Sequence, residues 1–163
     1  MRSVEDRVKL VMPVLPEAQF CPECGAKVLY GQTCIDYFHA CMEKEFTDAE
    51  YGAVHHLTVP TYMLQHPSQL SRQGWLEMRK ILVEFVIEGK SIPEMRLQVR
   101  TSADSSKRVF SFRKGEPIVF SNVVWSRTIA DICLDEAMTY CADITALAQS
   151  VVTDTEATAY LEP

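Results

Sequence analysis

No stretch of this sequence approaches the ~20 consecutive apolar residues that crossing a bilayer takes, which excludes a membrane-spanning helix. Basic charge is scarce as well. The chain has 16 Lys and Arg against 22 Asp and Glu, a formal net charge of -6. A module that grips nucleic acid needs a basic footprint to neutralise phosphates, so nucleic-acid binding is disfavoured. Met1 to Pro16 also lacks the uninterrupted apolar core of a signal peptide, because Arg2, Glu5, Asp6, Arg7 and Lys9 interrupt it. That absence places the chain in a reducing cytoplasm. There its six cysteines read as metal ligands or thiols rather than as a disulfide framework. No internal repeat is visible.

What is present is enough for a core. At 163 residues the chain fits one domain that buries roughly two-thirds of its unfolded surface, so it does not need a metal merely to fold. The sequence predicts a mainly α, single-domain helical bundle with an N-terminal zinc knuckle. Residues 1–20 read as a lead-in with a short amphipathic helix, 21–67 as a metal-stapled helical hairpin, 68–152 as the remaining helices, and 153–163 as a frayed tail.

The most informative stretch opens with Cys21-Pro22-Glu23-Cys24-Gly25, adds Cys34, and closes with Gln65-His66-Pro67. Two cysteines around a turn, a third at a helix start and a histidine at a far helix end can converge on one ion. The set Cys21, Cys24, Cys34 and His66 would form the closed Cys3His shell of a structural Zn2+ site.

Thr33-Cys34-Ile35-Asp36 has the form of a capping box, and Ile35, Phe38, Met42 and Phe46 then recur at helical spacing, predicting helix one as far as Phe46. A second helix follows over 51–66, with Val54, Leu57, Thr61 and Leu64 inward and a bend at Pro60. A third starts after Ser68 or Ser71 and stops at Gly89, and Ser91 with Glu94 caps a short helix or turn. The alternation of Phe110 and Phe112, then Ile118 and Phe120, suggests one small hairpin over 109–120. A last helix begins at Thr128 and carries Ile129, Ile132, Cys133, Tyr140, Ile144, Leu147 and Val151 inward.

The spacing leaves the fourth ligand open among His39, Cys41, His55, His56 and His66. Helix geometry disfavours His39, about 140° around the axis and ~7.5 Å along it from Cys34, and places Cys41 two turns away. An antiparallel hairpin turning near Asp48 sets Cys34 against residue 64 or so, which brings in His66. The same register sets Glu43 opposite His55. His39, Glu43 and His55, with Tyr62 beside them, therefore make an alternative open metal site of catalytic type. A redox pair at Cys21 and Cys24 is a third use of the knuckle. Cys133 and Cys141 read as small core residues.

The runs Cys21-Pro22-Glu23-Cys24-Gly25, Thr33-Cys34, Tyr51 to Val59 and Thr61 to Pro67 together resemble a family of small bacterial proteins of unknown function. Trp125 to Ile132 is similar to that family's last segment. In the family pattern the position of Pro60 is usually acidic, so this chain departs from it inside helix two. The resemblance implies that His55 and His66 are more than filler, and it implies no reaction. The function expected is a small zinc-binding accessory or interaction protein whose partner is another protein. The alternative is a metal-dependent hydrolase or thiol transferase.

Overall fold

A computed structural model describes residues 18–102 and 123–156. The hairpin expected over 109–120 and the lead-in helix lie outside the described residues. Among the described residues the structure is mainly helical, with one small antiparallel hairpin: β1 (Gln19–Phe20) pairs with β2 (Lys27–Val28), Gln19 opposite Val28. That hairpin is the frame of the cysteine knuckle itself. Two-residue strands carry too little alternation to be legible as a pattern.

Helix α1 spans Cys34–Thr47 and starts as the capping box predicts, with Thr33 donating through its backbone N–H (2.7 Å) and hydroxyl (2.8 Å) to Asp36 Oδ2. Its buried side matches the expected one only in part, since Phe38 and Met42 pack against the core but the ends of the stripe do not. Ile35 is 48% exposed and Phe46 77%, whereas Cys34, Cys41 and Glu45 face inward at i, i+7 and i+11. The expected second helix is two. Asp48 Oδ1 accepts from Glu50 N–H (2.9 Å) to start α2 (Ala49–Gly52), and a short turn leads into α3 (His55–Gln65). Gly52 lies so close to α1 that a Cβ there would stand 2.9 Å from the Glu45 carbonyl oxygen. Pro60 lies inside α3 and is buried, where it removes one backbone hydrogen bond.

Ser71, rather than Ser68, caps α4 (Arg72–Val86) by accepting from Gly74 N–H (3.0 Å). Ser91 and Glu94 cap a full helix, α5 (Ile92–Ser102), rather than a short helix or turn. The Thr128 capping box closes only a single 3-10 turn, Ile129–Asp131, and the last helix, α6, runs Ala137–Asp154. Cys133 therefore lies outside that helix, and both it and Cys141 are half-buried. The chain stays anchored past Thr153: Asp154 accepts from Ser126 N–H and Thr155 is fully buried, its hydroxyl taking a hydrogen bond from Arg79 Nε (2.9 Å).

The core lies where α3, α4 and α6 meet. Leu64, Leu82, Tyr140, Ile144 and Val151 are fully buried, and Trp75, 1% exposed, donates its indole N–H to the Leu64 carbonyl (3.1 Å). Burying such side chains stabilises by roughly 1.5–3 kcal/mol each. The bundle thus supports itself and presents the end of α3 to the knuckle. No helix among the described residues is long and apolar enough to cross a membrane.

Candidate metal centre

Three local structures bring four donors together. The first is the knuckle turn after β1, where Cys21 N–H donates to Ala26 O (2.8 Å), Gly25 N–H donates to Cys21 O (2.9 Å), and Gly25 takes a φ of 71° that a side chain would resist. The second is the capped start of α1, which fixes Cys34 at its first position. The third is the end of α3, where the helix stops and His66 turns inward, 5% exposed.

The donor atoms of Cys21, Cys24, Cys34 and His66 all lie within 4.8 Å of one another, a group that can hold a metal ion. Cys24 Sγ is 3.5 Å from Cys34 Sγ, and Cys21 Sγ is 3.6 Å from His66 Nε2. The histidine is pre-oriented. Its Nδ1–H donates to the Tyr62 carbonyl (2.8 Å), which leaves Nε2 as the lone pair directed at the sulfurs. Tyr62 stacks on the His66 ring (4.1 Å between centroids) and on Phe38 (4.1 Å), so the imidazole is held on its face as well.

The protonation of the group is frustrated in a way that suits a cation. A hydrogen bond from the Cys34 thiol, opposed by burial and aided by His66, holds Cys24 well below the ordinary thiol range. Cys34 is pushed up, first because it supplies that proton and next by burial. Burial lowers His66, but its hydrogen bonds to Cys24 and the Tyr62 carbonyl outweigh this and raise it. Tyr62 is pushed up to about 12 by burial and by the three nearby sulfurs. Cys24 and Cys34 therefore share a proton, which a divalent cation would displace.

Glu23, which the sequence does not mark as a site residue, clips the knuckle to the turn that follows α3. Its carboxylate accepts from Ser68 N–H (3.0 Å) and from the Ser68 hydroxyl (2.8 Å), two residues past His66. Only a Ser just after the helix end hints at this, and nothing local names its partner 45 residues away.

The residues of the alternative site do not gather. Among the described residues, the Cys21, Cys24, Cys34 and His66 set is the only close group of three or more His, Cys, Asp or Glu donors. His39 and Glu43 are exposed on α1, and His56 packs edge-on against Phe85 (4.7 Å). His55 meets Glu45, not Glu43, at 2.6 Å. The hairpin register is offset by two residues from the expected one, which also explains why Cys34 meets His66 rather than residue 64.

Glu45 anchors a second polar cluster. It accepts from Thr58 and from Tyr140 OH (2.6 Å) at Oε1 and from His55 at Oε2, three donors from two other helices. Cys41, one turn earlier, is buried, and burial pushes its thiol up to about 11, so it is unsuited to ligation or nucleophilic chemistry.

Fold and site together define a small helical protein with a candidate Cys3His metal centre joining an N-terminal knuckle to two helices. The chain belongs to a family of unknown function, DUF5946, whose model matches residues 19–156. Neither the curated proteins nor the solved structures compared with it give a match.

Proposed function

We propose that this is a cytoplasmic zinc-binding accessory protein, in which a structural Zn2+ ion locks the knuckle onto α1 and α3 and shapes a surface for a protein partner. The observation that carries the reading is the closed donor set. Three sulfurs and one pre-oriented imidazole are enough to complete a tetrahedral shell, and a structural zinc takes such a shell while a catalytic one keeps a place for water. Zinc suits this set of soft thiolates and an imidazole, whereas Mg2+ and Ca2+ prefer oxygen ligands. Support for a partner surface comes from the hairpin, where Phe20, Leu29 and Tyr30 are 69%, 59% and 68% exposed.

The test is metal content by mass spectrometry on protein purified without chelator or affinity nickel. One zinc per chain is expected, lost in Cys24→Ser, weakened in His66→Ala and kept in His39→Ala. Zinc that survived Cys24→Ser but vanished in His39→Ala would overturn the assignment.

A further inference from the structure

Resting on that zinc reading, we infer that the centre is a peroxide-responsive switch: oxidation joins Cys24 to Cys34 as a disulfide, ejects the metal, and lets Cys21 and His66 go. The geometry favours this pair. Their Sγ atoms are 3.5 Å apart, so reaching a disulfide bond length of ~2.05 Å takes roughly 1.5 Å of approach. Cys21 is engaged differently, with its sulfur 3.6 Å from His66 Nε2. Access is restricted. Cys24 and Cys34 are 5% and 4% exposed, so a small oxidant such as hydrogen peroxide suits the pair and a bulky one is kept out.

The chemistry balances with hydrogen peroxide as the oxidant. One thiolate attacks a peroxide oxygen, forming an S–O bond as the O–O bond breaks and hydroxide leaves. The second thiolate then attacks the sulfenyl sulfur, forming the S–S bond and releasing a second hydroxide. Two electrons pass from the sulfurs to peroxide. Cys21 and His66 remain, too few to close a tetrahedral shell, and the zinc ion leaves.

The structural consequence is asymmetric. The disulfide preserves the link from the knuckle to α1, since Cys24 and Cys34 lie on those two parts. The link to α3 through His66 is lost, leaving the Glu23 to Ser68 hydrogen bonds to hold that side. Oxidation therefore loosens the seam between the knuckle and the end of α3, while the start of α1 stays tied. Thiol reductant and fresh zinc reverse the change.

The experiment treats the zinc-loaded full chain with hydrogen peroxide, follows zinc with a chromophoric chelator and maps disulfides by non-reducing peptide mass spectrometry. Expected are release of the one bound zinc, a Cys24–Cys34 peptide pair, and recovery with reductant plus zinc. Hydrogen exchange should rise over 62–68 more than over 33–38. The Cys133→Ser, Cys141→Ser double variant, which leaves the centre intact, should respond identically. A loaded chain that keeps its zinc while Cys133 or Cys141 oxidises overturns the switch, and so does zinc loss with Cys21 joined to Cys24. In both cases the zinc reading stands. A chain that holds no zinc before peroxide is added overturns the zinc reading and the switch with it.

Discussion

Replacing Tyr140 by Phe removes one of the donors that satisfy the buried Glu45 carboxylate and keeps the ring. The Glu45 side chain is 1% exposed, and three donors compensate its desolvation. Tyr140 is fully buried, and burial together with its hydrogen bond to Glu45 raises its hydroxyl well above the usual phenol range, so it acts only as a proton donor. In Tyr140→Phe the ring keeps its packing against Tyr51, 5.1 Å away, but Oε1 is left with Thr58 alone. A hydrogen bond to a charged group contributes about 1.5–3 kcal/mol, and the lower figure holds if Thr58 and a water compensate. The expected loss is about 2 kcal/mol. In a chain of this length that lowers the Tm by about 4–8 °C. Urea unfolding under saturating zinc measures it, with the metal held constant so that only the cluster is probed. Coupling is the sharper readout: paired with Glu45→Gln, the double variant should lose less than the two singles together. A Tyr140→Phe protein within about 0.5 kcal/mol of wild type, or strict additivity with Glu45→Gln, would refute the view that this cluster joins α1, α3 and α6.

Two more outcomes follow from the same contacts. Gly52→Ala puts a Cβ 2.9 Å from a backbone oxygen that cannot step aside, so α1 and α2 must separate; overpacking of this kind costs about 1–3 kcal/mol, and a Tm equal to wild type would show that the seam is slack. Cys41 has a folded-state pKa of about 11 against an ordinary 9.0, chiefly because burial penalises the thiolate. A raised value stabilises the fold below the unfolded pKa, and that contribution is lost as pH climbs from 9 through 11. The urea midpoint of the native protein should thus fall across that window more steeply than that of Cys41→Ala, and native Cys41 should resist thiol reagents at pH 8. Equal slopes for the two proteins would contradict the burial argument.

Local chemistry made much of this protein legible without coordinates. The knuckle, the capping boxes at Thr33 and Ser91, the serine cap of α4 and the inward stripe of Tyr140, Ile144, Leu147 and Val151 depend on residues within a few positions of one another. So does the convergence of Cys21, Cys24 and Cys34, which needs a turn and a helix start. His66 came within reach from hairpin arithmetic because an antiparallel pair has few registers.

The rest belongs to packing. The fully buried positions of α1 are Cys34, Cys41 and Glu45, while of the apolar stripe Phe38 and Met42 pack against the core and Ile35 and Phe46 are left exposed. The register that pairs Glu45 with His55, and the close approach of Gly52 to α1, are tertiary contacts that hydrophobic periodicity does not encode. Glu23 finds Ser68, and Glu45 finds Tyr140 95 positions away, only after the helices have closed. A buried carboxylate looks like a surface residue in any sequence window, since what makes it tolerable is donors that the chain supplies from elsewhere.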